Sequence, residues 1–224
     1  MNGDPDVDAI FRLTKTMAYK KINVTFDESS PSIQYPTFRM APYNSQSTLF
    51  HRRAFWSLYL PTSVSFRLTD IWRSYWAQRL LWLLDDTVTF LGPNAHQIRN
   101  AHSYLKDFEE EKDMYSQAEA LVDFLFKWHC PAKYTFFECV VDLSQQMADS
   151  KFWEAEEVLK IKHWLNDLKA SGYIEPEIIN FEDESKLCGS EKYQNISKVL
   201  TPLVLRLFPG DFPKINKITL INNF

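Results

Sequence analysis

Residues 41–82 read APYNSQSTLFHRRAFWSLYLPTSVSFRLTDIWRSYWAQRLLW, and their pattern decides most of the fold. Thr69 is placed to cap a helix over Asp70–Leu84, with Asp70 at its positive end. Upstream, Asn44, Gln46 and Thr48 recur at alternate positions, a spacing that predicts one polar face of an extended strand. A rim of amides and hydroxyls leading to Asp70-Ile71-Trp72-Arg73 is a surface suited to hydrogen-bonding a polyhydroxylated ligand. Trp72, Trp76 and Trp82 fall at helical spacing among Leu80, Leu81 and Leu83, which reads as core before it reads as a stacking surface.

Working outward, Ser47–Phe50 reads as a strand and Arg52–Leu60 as a helix or turn broken by Pro61. Val88, Phe90 and Gly92 suggest a buried strand that Gly92-Pro93 closes, and Ile22, Val24 and Phe26 a short one. Asp27–Pro42 is rich in Ser and Pro and reads as a loop. Asp6 or Asp8 is placed to cap a short helix just downstream. In the second half the period changes. Met114, Ala118, Leu121, Val122 and Leu125 form one helical stripe, Val158, Ile161, Leu165 and Leu168 another ending at Gly172, and Tyr134–Met147 lies between them. The expected fold class is mixed α/β, an α/β layer over about residues 1–92 and then a mostly helical region at 100–172. Residues 180–224 give no secure assignment.

Composition removes several function classes. The chain has 224 residues and a net charge of −4, without the basic excess a nucleic-acid partner calls for. Only 5 glycines are present, and neither a dinucleotide-binding fingerprint nor a P-loop occurs. No apolar run reaches the ~18–20 residues of a membrane span, and the acidic N-terminus is not a signal peptide. Cys130, Cys139 and Cys188 are too widely spaced for a zinc ribbon and leave room for one disulfide and one free thiol. Asn23 and Asn195 head glycosylation sequons.

The segments GDPDVDAIFRLT (3–14), APYNSQSTLF (41–50), TDIWRSYWAQRLLW (69–82) and PNAHQIRNAHSYLKDFEEE (93–111), in that order, resemble the STELLO glycosyltransferase family. The resemblance covers roughly residues 1–175, with 176–224 as an unassigned extension. It implies a GT-A-like glycosyltransferase layer, of which this chain would be the acceptor-side part, acting on a nucleotide sugar and a glycan acceptor in the Golgi. It also implies a divalent cation, Mn²⁺ or Mg²⁺. An Asp-rich metal motif would normally precede the GDPDVDAIF segment. The chain starts at that segment, so the expectation is a truncated member with little transfer activity of its own.

On that resemblance Asp70 is the candidate catalytic residue, a base on the acceptor hydroxyl, with helix stabilisation as the competing role. Asn44, Gln46 and Arg73 are candidate substrate-binding residues. A guanidinium such as Arg73 or Arg79 suits phosphate oxygens, although pairing with Asp85 or Asp86 is the commoner use. Asp4, Asp6, Asp8, His96 and His102 are weaker metal candidates, since carboxylates and neutral imidazole both ligate such ions. The rival reading is a non-catalytic scaffold module that binds a partner protein.

Overall fold

A computed structural model describes residues 1–15, 23–179 and 220–223 of the chain. Cys188, the sequon at Asn195 and Ile22 of the expected first strand lie outside the described residues. The fold is organised around helix α2 (Thr69–Leu81), in which every residue from Trp72 to Leu81 is buried. A helix with no solvent face runs through the middle of a core rather than along its edge. Leu68, not Thr69, is the N-cap residue and makes no side-chain cap bond. The expected cap fails because the chain enters α2 already wound, through a 3₁₀ turn at Phe66–Leu68. A further 3₁₀ turn, Trp82–Leu84, extends the helical run to the expected end, where Asp85 takes a left-handed conformation.

Around α2 the tryptophans do two things at once. Trp56, Trp76, Phe136 and Trp153 meet edge to face, with centroids 5.5, 5.0 and 6.2 Å apart along the series 56–76, 56–136 and 76–153. A buried indole N–H left unpaired is costly, and most of those around α2 are paired, Trp56 Nε1 being the exception. Trp72 donates to the Phe152 carbonyl at 2.9 Å and Trp76 to Ser144 Oγ at 3.2 Å. Trp72, Trp76, Leu80 and Leu83 are all buried, as their spacing predicts.

The second half supplies the helices that enclose α2. They are α3 (Tyr104–Glu110), α4 (Lys112–Lys127), α5 (Phe136–Asp149) and α6 (Glu156–Ala170), with the short α1 (Ala9–Lys15) near the N-terminus. Thr135 and Glu138 form a reciprocal capping box at the start of α5. Arg79, buried in α2, directs its guanidinium at the end of α4, 2.7 Å from the Trp128 carbonyl and 3.1 Å from that of Leu125. A cation at the negative end of a helix answers the cost of burying it. Cys130, in the loop after α4, and Cys139 of α5 form a disulfide with a Cα separation of 5.3 Å.

The strands are short. One sheet has the order β2 (Ile33–Gln34), β4 (Val88–Leu91), β6 (Leu220–Asn223), β3 (Thr48–Phe50), and β6 runs parallel to β4 and antiparallel to β3. A separate parallel pair joins β1 (Asn2–Gly3) to β5 (His96–Gln97). The fold class is therefore mixed α/β, with corrections to the expected strands. Val24 makes only an isolated bridge to Gly3, and the Ser/Pro-rich stretch contains β2, tied to β4 by backbone bonds that local composition does not reveal. Gly3 has φ +89°, and a Cβ there would strike the His96 ring and the Gln97 carbonyl.

One buried carboxylate ties the two halves together. Glu157 of α6, 0% exposed, accepts from Thr62 N at 2.8 Å, Ser63 N at 2.6 Å, Thr62 Oγ1 at 3.1 Å and the Tyr59 hydroxyl. Burial pushes its pKa up, but the hydrogen bonds from Tyr59, Ser63 and Thr62 outweigh burial and hold it below the usual 4.5. A depressed carboxylate contributes stability that is present above its unfolded pKa and is lost as pH falls through the folded one. Urea denaturation should therefore show stability falling below about pH 4.5, and a Glu157→Gln variant, about 2 kcal/mol less stable at pH 7, should lose part of that pH dependence.

Candidate functional site

The residues singled out in the sequence meet at the start of α2, although the strand meant to carry them is absent. Ser45, Gln46 and Ser47 form a bend and turn directly after Asn44, and β3 starts only at Thr48. Ser47 has φ +50°, and Asn44 Oδ1 accepts from Gln46 N at 3.0 Å, a local bond that turns the chain and breaks the expected alternation. Asn44 and Gln46 thus sit on a tight loop and not on one face of a strand. What joins them to α2 is Ser45, a residue that no spacing or motif marks out. Its amide donates to Asp70 Oδ2 at 2.8 Å, and its hydroxyl accepts from Arg73 Nη2 at 2.9 Å.

Asp70 and Arg73 share this loop but differ in exposure. Asp70 is half-buried in the first turn of α2, and its Oδ1 has no protein partner among the described residues. Arg73 is 2% exposed. Its guanidinium lies 5.4 Å from the Tyr43 ring centre and 5.0 Å from that of Phe50, and Nη1 donates to the Ser57 carbonyl at 3.3 Å. Neither Asp85 nor Asp86 is its partner; Asp86 lies 3.6 Å from Arg53. So enclosed, Arg73 is bonded to the loop and is closed off from solvent. Burial pushes the Tyr43 phenol up to about 12, with Arg73 lowering and Asp70 raising it.

Gln46 extends the cluster toward the N-terminus, donating from Nε2 to Asp6 Oδ2 at 2.8 Å, while Asp6 also pairs with Arg99. The remaining aspartates of the first segment point elsewhere. Asp4 pairs with buried Arg12 at 2.9 Å, and Asp8 Oδ1 accepts from Phe11 N at 2.9 Å in the first turn of α1. His96 lies in β5, and His102 pairs through Nδ1 with Asp107. Asp4, Asp6, Asp8, His96 and His102 are thus spread over separate partners, and no group of three metal-binding side chains forms among the described residues. That donor set does not fit a divalent cation.

Beside this rim lies a second polar network. Arg67, just before α2, reaches Asp107 at 3.3 Å and Glu111 at 2.8 Å, and Glu111 Oε2 accepts from Ala9 N at 2.7 Å and the Tyr115 hydroxyl at 2.5 Å. It locks α1, α3 and α4 to the entry of α2. No short-range spacing marks it, since Arg67 and Glu111 lie far apart in sequence. A separate open cavity of about 780 Å³ lies between α5 and α6, lined among others by Tyr134, Glu138, Lys162 and Lys169. It contains none of the candidate site residues.

The family model of the STELLO glycosyltransferases matches residues 67–199, and the chain belongs to that family. It is 41% identical over 181 residues to the probable glycosyltransferase STELLO1 of Arabidopsis thaliana, and 39% identical over 181 residues to the probable glycosyltransferase STELLO2 of the same plant. Each match covers 81% of this chain, and the chain spans 23% of the length of each relative.

The site makes a stability prediction that separates its two charged members. Arg73→Ala, which empties a buried position and strands the Ser57 carbonyl, should cost about 3 kcal/mol. Asp70→Asn, at a half-exposed position, should cost less than about 1 kcal/mol. Chemical denaturation of both variants checks the order; the reverse order would make Asp70 the structural residue.

Proposed function

We propose that this chain contributes the acceptor-side surface of a sugar-transferring enzyme that uses a nucleotide-sugar donor. The observation that carries the reading is the Asp70 carboxylate: one oxygen is fixed by the Ser45 amide and the other has no protein partner among the described residues. A carboxylate so held is oriented before a ligand arrives, and a positioned base is worth far more than a mobile one. In this reading Asp70 accepts the proton of the acceptor hydroxyl as that oxygen forms its bond to the donor's anomeric carbon. The bond from that carbon to the diphosphate breaks, and the nucleotide leaves with the electron pair. Asn44 and Gln46 supply amide groups for neighbouring sugar hydroxyls, and Arg73 keeps the loop in register from behind.

Membership of a family of glycosyltransferases supports this chemistry, and the names of the two Arabidopsis relatives carry the same activity. The Cys130–Cys139 disulfide supports an oxidising compartment, in keeping with the Golgi location the resemblance implies. No helix among the described residues is long and apolar enough to cross a membrane.

The test is transfer of labelled sugar from a panel of nucleotide sugars, measured on the longest natural polypeptide that carries this sequence. Asp70→Asn should lower turnover by about 10²-fold or more while leaving the unfolding midpoint within a few degrees. Unchanged turnover in that variant would remove Asp70 from the reaction. Transfer absent from the unmodified protein with every donor would favour the scaffold reading, in which the family fold serves a protein partner.

A further inference from the structure

We propose that Phe66 is a stacking platform for a sugar ring of the acceptor, placed one helical turn before Asp70; this rests on the proposed function. Phe66 is 88% exposed, the most exposed of the large hydrophobic side chains among the described residues. A single exposed apolar residue usually needs no explanation. Here the ring stands on one of the most firmly held turns of the molecule. Leu68, two residues on, is buried, and Arg67 is clamped by Asp107 at 3.3 Å and Glu111 at 2.8 Å. Thr69 Oγ1 donates to the Phe66 carbonyl at 3.2 Å. The ring is therefore displayed on a fixed backbone and not on a floppy loop.

Direction comes from the winding. Ser65 is the last extended residue, and from Phe66 the chain runs through the 3₁₀ turn directly into α2. Four residues of 3₁₀ and α winding make a little more than one turn, so Phe66 lies about one turn before Asp70 along the axis of α2. Asp70 in turn holds Ser45, between Asn44 and Gln46. An aromatic face beside a carboxylate and amide groups matches the two surfaces of a pyranose: its C–H face packs on the ring while its hydroxyls reach the polar groups. A protein-docking patch would instead need apolar neighbours where the carboxylate and amides stand.

The experiment uses the 224-residue chain and four hexasaccharides: β-1,4-glucan, α-1,4-glucan, β-1,4-mannan and β-1,4-linked N-acetylglucosamine. Binding is measured by calorimetry for the unmodified chain and for Phe66→Ala, Phe66→Trp and Asp70→Asn. Six of the native tryptophans are buried, so in Phe66→Trp the new indole reports its own environment by fluorescence. The expected result is binding of at least one saccharide, weakened at least ~10-fold in Phe66→Ala, retained in Phe66→Trp with a saturable blue shift, and unfolding midpoints unchanged in both. Equal affinity in Phe66→Ala, with binding weakened in Asp70→Asn, would overturn the platform and leave the Asp70 site standing. No binding of any of the four at concentrations up to ~10 mM would overturn the inference while leaving the transfer assay of Asp70→Asn free to succeed. A change in self-association of Phe66→Ala, with sugar binding intact, would make the residue a protein contact and also overturn it.

Discussion

Helix α2 has no side that faces water, yet it carries two arginines, and the rest of the structure is arranged to make that tolerable. A buried guanidinium must find acceptors or the fold fails. Arg79 finds them in the carbonyls that end α4, and Trp82 and Trp128 lie within 5.7 and 4.9 Å of its charge. Arg73 finds them in Ser57 and Ser45, between the rings of Tyr43 and Phe50. Each solution fixes a piece of chain remote in sequence: one sets the end of α4, the other sets the loop at 43–50. The helix is in this sense the reference frame of the molecule.

The candidate site inherits its order from that frame. Asp70 occupies the one turn of α2 that emerges from the core, where a carboxylate is favoured by the helix dipole and can still meet solvent. Ser45 is held from two directions, by Asp70 through its amide and by Arg73 through its hydroxyl. The helix-stabilising and the chemical roles of Asp70 are thus not exclusive, since the same placement that suits the dipole also orients the free oxygen. The Arg67 network performs the parallel task on the other side of the entry turn, joining it to α1, α3 and α4.

The helical half and the core are legible in the sequence because tryptophan and leucine at helical spacing leave little alternative, and α4 and α6 keep to their stripes. Asn44, Gln46, Asp70 and Arg73 also stand out together there, and they do gather at one end of α2. Their geometry is not legible. Alternate polar residues signal a strand only if the backbone stays extended, and the Asn44 side chain bends it by bonding to Gln46. Arg73 resembles a phosphate ligand by type alone, because exposure cannot be read from a residue type. Ser45, Arg67 and Glu111 carry no local signal because their roles arise from contacts between distant segments. The strand pairing of β2 and β6 with β4 is non-local in the same way.

Preorganisation of the polar loop by α2, through Asp70 and Arg73, is the central claim. Hydrogen exchange at the Ser45 amide tests it most directly, because that amide lies in an exposed loop yet is bonded to Asp70 at 2.8 Å. Preorganisation predicts measurable protection of Ser45 in the native chain, and faster exchange of that amide by about 10-fold or more in Asp70→Ala with the amides of α2 from Trp76 to Leu81 unaffected. A Ser45 amide that exchanges at the unprotected rate in the native chain, or one indifferent to Asp70→Ala, would contradict it.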